Sequence, residues 1–95
     1  MADEHRSKVE QGARRVADWL AEHREEFEHG GVGEGELAGA TGLAEAELTE
    51  AMDYLENREE VVRIPQSLSP PRNVLKPGRG WPEVRDEILK SRPTA

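Results

Sequence analysis

The apolar residues of this 95-residue chain lie in short stripes of helical period, each too short to form a stable helix alone. Between residues 6 and 28 they recur at spacings of three, four and seven, which predicts an amphipathic helix: Val9, Ala13, Val16, Leu20 and Phe27. The glycines at residues 30–33 predict a turn after it. Short helices need a shared core, so we expect one domain over residues 1–95 with disordered termini.

Two further helices are predicted before residue 60. Residues 33–40 favour a short second helix that ends at Thr41 and Gly42. Residues 44–57 favour a third helix, which we expect Asn57 to end in the left-handed conformation. Its apolar stripe has the spacing i, i+4, i+7 and consists of Leu48, Met52 and Leu55.

The pattern changes to extended chain after the helices. Val61, Val62 and Ile64 predict a strand that Pro65 closes. Residues 66–72 are rich in serine and proline and predict a loop, and residues 73–76 predict the second strand of a hairpin. A last helix is expected over residues 81–90, with Trp81 packed against the core. The predicted fold class is therefore mainly α with a small β-hairpin, α+β.

Composition excludes several classes of protein. The chain has no cysteine, so neither disulfides nor thiolate metal sites are available. The first residues are acidic, and no apolar run is long enough to cross a membrane. These features predict a cytoplasmic protein with no membrane contact.

The element order resembles the winged-helix superfamily. The residues that carry the resemblance are Glu36-Leu37-Ala38-Gly39-Ala40-Thr41-Gly42-Leu43, which are similar to that family's second helix and turn. The resemblance covers roughly residues 8–78, and it implies a winged helix-turn-helix with a three-helix core over about residues 6–78, a wing, and an additional C-terminal helix over about residues 81–90. The first and last helices are common pairing surfaces in that superfamily, so they are the surfaces through which a homodimer, if one forms, is expected to pair.

DNA-linked transcriptional regulation is the leading function that the resemblance implies. The basic residues of the hairpin region would then contact phosphates, with two polar residues of the third helix as secondary contacts: Arg63, Arg72, Lys76, Arg79, Thr49 and Asn57. The four cations among them could equally be ordinary solvated residues that balance the charge of the acidic helices, so this alternative to a binding role stays open.

The distribution of charge favours a different partner. Residues 1–60 hold six Lys or Arg against 17 Asp or Glu, whereas residues 61–95 hold seven against three. The acidic third helix would be repelled by a duplex. The alternative prediction is a protein-interaction module without direct DNA binding, whose contact residues are Glu47, Glu50, Asp53 and Leu68.

Enzyme chemistry is not indicated. The serines lie in polar or terminal contexts and none stands out as a nucleophile, and the glycine-rich segment after the first helix does not follow a strand as a phosphate-binding loop would. His23, Glu26 and His29 are spaced three apart, but a metal site needs ligands that converge from more than one element. We therefore expect no catalytic residue, no metal and no cofactor.

Overall fold

The computed structural model describes the backbone of residues 2–68 and 71–91 and the side chains of residues 4–65 and 73–91. Its elements in order are α1 (Ala2–Glu22), α2 (Arg24–His29), β1 (Val32–Gly33), α3 (Glu34–Thr41), α4 (Glu45–Asn57), β2 (Val61–Leu68), β3 (Pro71–Pro77) and α5 (Trp81–Ser91). The strands form an antiparallel sheet in the order β1-β3-β2. The α+β fold class is confirmed. In the described part of the chain, no helix combines the length and the apolar character needed to cross a bilayer.

The prediction of one continuous first helix is wrong, because the chain breaks at His23. This residue has φ −112° and ψ 34°, and a separate helix, α2, starts after it. Phe27 on α2 is still fully buried, and its ring packs edge-on against Trp81 with 4.8 Å between centroids. The break therefore separates a long helix from a short segment that packs against the C-terminal helix.

The turn predicted after the first helix is shorter than expected, and Gly33, which was predicted to begin the second helix, belongs to a strand with Val32. These two residues form β1, with Val32 opposite Leu75 in β3. The turn itself is at Gly31, whose φ is +87°. A Cβ at Gly31 would lie 2.5 Å from a methyl carbon of Val74, so only glycine fits there.

The hairpin is longer than predicted. β2 does not close at Pro65 but continues to Leu68, and β3 begins at Pro71, so most of the predicted loop is strand. Pro65 is tolerated because β2 is an edge strand. The backbone N–H of Arg63 points to that open edge and donates to Glu56 Oε2 at 3.4 Å. Alternate residues of a strand point their backbone groups to the same side. The backbone nitrogen of Pro65, which has no hydrogen to donate, therefore also faces the open edge.

The core lies between the helices and the inner face of the sheet. It draws on every described element and includes Trp81, whose predicted burial is confirmed at 1% exposure. The predicted apolar stripes of the first and third helices are buried, apart from the half-buried Val9. The buried apolar residues are Ala13, Val16, Ala17, Leu20, Ala21, Phe27, Val32, Leu37, Leu48, Ala51, Met52, Leu55, Val61, Leu75, Trp81 and Ile88.

One carboxylate joins α5 to α2. The indole N–H of Trp81 donates to Glu28 Oε2 at 2.8 Å, and Arg85 donates to the same oxygen at 2.9 Å. The Trp81 hydrogen bond, with the bond and charge of Arg85, lowers the pKa of Glu28 against the opposing effect of desolvation. A lowered pKa means that this link stabilises the fold above the ordinary carboxyl range and is lost as the pH falls through the folded-state value.

The end of α4 is a Schellman motif with an unusual residue in it. Glu60 N–H donates to Leu55 O and Glu59 N–H to Glu56 O, both at 2.9 Å. The left-handed residue is Glu59, with φ 61°, and not Asn57 as predicted. Helices that end in this way usually have glycine at the left-handed position because a Cβ is strained there.

We predict that Glu59→Gly stabilises the protein by about 0.5–1 kcal/mol, because relief of left-handed strain exceeds the entropy that glycine loses. Urea denaturation at neutral pH measures the change. Glu59→Ala is the matched control, since it removes the same carboxylate and keeps a Cβ. Equal effects of the two substitutions would contradict the strain argument.

The same turn packs closely on the segment after β3. A Cβ at Gly78 would lie 2.3 Å from the carbonyl oxygen of Glu59. We predict that Gly78→Ala lowers the free energy of unfolding by about 1–3 kcal/mol, as other overpacking substitutions do. Gly39→Ala in α3 is the control, because a Cβ at Gly39 would have no atom of another part of the chain within 4 Å. Equal stability of both variants would rule out the close packing.

Candidate interaction surface

The exposed side of α4 is acidic along its whole length. The apolar side of the helix faces the core, which leaves the carboxylates on the other side. Asp53 is exposed and Glu50 is half-exposed. The acidic residues of this surface, called the α4 face below, are Glu45, Glu47, Glu50, Asp53 and Glu56. The predicted contacts Glu47, Glu50 and Asp53 are therefore brought together on one helix.

Several of these side chains also hold the structure. Glu47 Oε1 accepts the backbone N–H of Ala44 at 2.9 Å and so caps the start of α4. Glu50 Oε2 lies 2.5 Å from Nε2 of His5 on α1. The Thr49 hydroxyl donates to the carbonyl of Glu45 at 3.0 Å, within its own helix. Asn57 is exposed at the last position of α4.

Arg63 is directed at α4 rather than at solvent. Its Nη2 donates to Asp53 Oδ1 at 2.5 Å and to Glu56 Oε1 at 2.8 Å, and its side chain is only 23% exposed. The side-chain hydrogen bond from Arg63, together with its backbone bond and charge, lowers the pKa of Glu56 against desolvation. The hydrogen bond to Glu56 in turn raises the pKa of Arg63. One cation is therefore shared between two carboxylates, and the α4 face stays negative.

The other predicted cations lie elsewhere. Lys76 is exposed opposite Val62, on the side of the sheet away from the helices. Arg79 Nε lies 3.6 Å from Glu59 Oε2, with 85% of the Arg79 side chain exposed. Arg72 and Leu68 have side chains outside the described residues. The described cations thus do not form one patch, because Arg63 lies against α4 and Lys76 faces the opposite way.

An apolar surface on the sheet was missed by the sequence reasoning. Side chains alternate between the two faces of a strand. Because Val61 and Leu75 are buried, Val62, Ile64 and Val74 lie on the outer face. Val62 is 42% exposed and is the most exposed large apolar side chain among the described residues. Strict alternation from Val61 would have found it, since it assigns Arg63 to the inner face and Val62 to the outer one.

A shallow depression connects this apolar surface to the end of α4. It has a volume of about 360 Å³. Its lining residues are Glu56, Glu59, Val61, Val62, Gly78 and Arg79. Carboxylates and an exposed valine therefore lie side by side, so that one partner could contact both.

A second concave site lies between α1 and the first half of α4. It is a groove of about 340 Å³ with charged walls and an apolar floor. Its lining residues are His5, Lys8, Val9, Gln11, Gly12, Arg15, Leu43, Glu47 and Glu50.

The histidines do not gather ligands for a metal. His23 Nδ1 lies 2.9 Å from the carbonyl of Trp19, and its ring stacks on Trp19 with 3.9 Å between centroids. His29 Nδ1 lies 2.7 Å from the carbonyl of Glu25. Across the described residues, no group of three or more His, Asp or Glu has an arrangement that could hold a metal ion.

Comparison of the chain with protein-family models, curated proteins and solved structures found no match.

The hydrogen bond between Arg63 and Glu56 can be tested by measuring the pKa of Glu56. In Arg63→Gln we predict that the pKa of Glu56 rises towards its ordinary value, because the cause of its lowering is removed. NMR detection of the Glu56 side-chain carboxyl during an acid titration measures this. The lowered pKa contributes stability above the ordinary carboxyl pKa, and that contribution disappears as the pH falls through the folded-state value. The acid sensitivity of the variant should therefore be smaller. Arg24→Gln, away from α4, is the control, and an unchanged Glu56 pKa in Arg63→Gln would contradict this hydrogen bond.

Proposed function

We propose that this chain is a non-enzymatic winged-helix binding module whose partner is a protein. In this proposal α3, Thr41–Gly42 and α4 form the helix-turn-helix, β2 and β3 form the wing, and α5 is the additional helix. The order of these elements and the position of the turn before α4 support it.

The observation that carries the choice of partner is the pairing of Arg63. Arg63 was predicted to contact phosphates, but its guanidinium donates hydrogen bonds to Asp53 and Glu56 of α4. The helix that would enter the major groove therefore presents carboxylates, and DNA carries about one negative charge per 1.7 Å of its axis. Such a surface favours a partner with basic side chains.

The exposed apolar residue beside α4 supports the same conclusion. Val62 and the carboxylate of Glu56 line one depression. Protein interfaces combine an apolar centre with a polar rim, and their rim charges set the orientation of the partner. Phosphates would gain nothing from Val62, whereas an apolar side chain of a protein partner would cover it.

DNA binding is the second candidate, and the position of Lys76 favours it. Among the described residues its ammonium has no ion-pair partner within 4 Å, and it is exposed on the hairpin. With Arg63 bound to α4, three predicted cations remain, Arg72, Lys76 and Arg79. If all three neutralised phosphates, affinity would fall with salt at a slope of about −2.7.

We predict that generic duplex DNA leaves the backbone amide shifts of the protein unchanged at roughly 50 and 200 mM salt. The measurement is an NMR titration of ¹⁵N-labelled protein. Shifts concentrated in β2, β3 and residues 78–80 that fade at the higher salt would favour the DNA candidate instead.

The protein candidate is tested by cross-linking capture at low salt with three baits. One is the wild type, and one removes three of the five negative charges of the α4 face by Glu47→Gln, Glu50→Gln and Asp53→Asn. The matched control removes three charges elsewhere by Glu25→Gln, Glu26→Gln and Glu36→Gln. A partner held by the wild type and the control but lost by the α4 variant is the expected result. Equal capture by all three would show that the α4 face is not the contact surface.

A further inference from the structure

The groove between α1 and α4 has opposite charges on its two walls. Lys8, Gly12 and Arg15 are spaced i, i+4 and i+7, so they lie along one side of α1. Glu47 and Glu50 line the other wall from α4. Its volume of about 340 Å³ falls at the small end of the range for ligand sites.

The charges across this groove do not neutralise each other directly. Among the described side chains, no ion pair within 4 Å joins Lys8 or Arg15 to Glu47 or Glu50, and Glu50 pairs with His5 instead. Arg15 uses one N–H to reach the carbonyl of Thr41 at 3.3 Å, and a guanidinium has five. Each wall therefore keeps hydrogen-bonding capacity that a ligand could use.

Gly12 lines the groove at a position where the packing of α1 on α4 does not require glycine. It lies in the middle of α1, where glycine is less favourable than alanine. A Cβ at Gly12 would lie 3.7 Å from Cβ of Ala51 and from Cδ1 of Leu43, which is ordinary contact. Alanine would thus fit the helix pair, and its methyl group would reach towards Leu43 on the groove floor.

We propose that this groove binds a free α-amino acid with an apolar side chain. The carboxylate of the ligand would pair with Lys8 and Arg15, and its ammonium with Glu47 and Glu50. The side chain would lie on the half-buried Val9 and Leu43. A zwitterion matches both walls without adding net charge, whereas a simple anion or cation would meet repulsion on one of them. This proposal does not depend on whether the chain binds DNA or a protein.

The test is an NMR titration of the full chain with L-leucine, L-valine and L-phenylalanine. Saturable shifts of amides in residues 8–15 and 43–50 are expected with at least one of them. Leucinamide, which has no carboxylate, and 4-methylpentanoate, which has no ammonium, should bind at least tenfold more weakly than leucine. Equal binding of either analogue would overturn the zwitterion assignment, and the absence of saturable shifts in these segments with all three amino acids would overturn the site.

Variants locate the ligand. Lys8→Gln with Arg15→Gln, and separately Gly12→Ala, should each weaken binding at least tenfold, and the alanine variant should melt at a higher temperature than the wild type. Arg6→Gln with Lys90→Gln removes the same charge outside the groove, and Gly39→Ala is the matched helix glycine, so both should bind as the wild type does. Unchanged affinity in the groove variants would overturn the proposal.

Discussion

Leu20, Leu37, Met52 and Leu75 come from four different elements and are fully buried in one cluster. Neither α3, with eight residues, nor the hairpin has enough internal stability to persist alone. Each element is therefore held by the surfaces that the others supply. This dependence fixes which surfaces are exposed, because the faces of α4 and of the sheet that are not used in the core are the ones left to solvent.

Arg63 shows how one partly buried cation can decide the character of a surface. It is the residue through which β2 and the α4 face are joined by hydrogen bonds as well as by packing. On a fully exposed arm, the same residue would add positive charge to the hairpin. Because it is directed at two carboxylates, it reduces the negative charge of α4 without reversing it, and the surface stays negative.

The sequence predicted the three later helices to within one residue at each end and the existence, though not the length, of the hairpin, since apolar spacing and glycine turns act locally. α4 ends at Asn57 as expected, and Trp81 is buried. The break at His23 and the strand β1 were missed because both depend on distant residues: the separate helix α2 packs Phe27 against Trp81, and β1 exists only because β3 lies beside it. The candidate surface was predicted in part. The acidic residues of α4 were found from their period, whereas the direction of Arg63 requires knowing which face of β2 meets the helix.

The outer edge of β2 is partly closed to main-chain pairing. The N–H of Arg63 is bound by Glu56, and Pro65 supplies none. An added strand would therefore find a donor already engaged at one position and absent two residues later. Sheet extension recognises any extended peptide through its main chain, so these two positions disfavour the least selective route of association at this edge. In the proposed function, recognition along β2 would then depend on side chains, and the identity of the partner could change with a few surface substitutions while the fold stays the same.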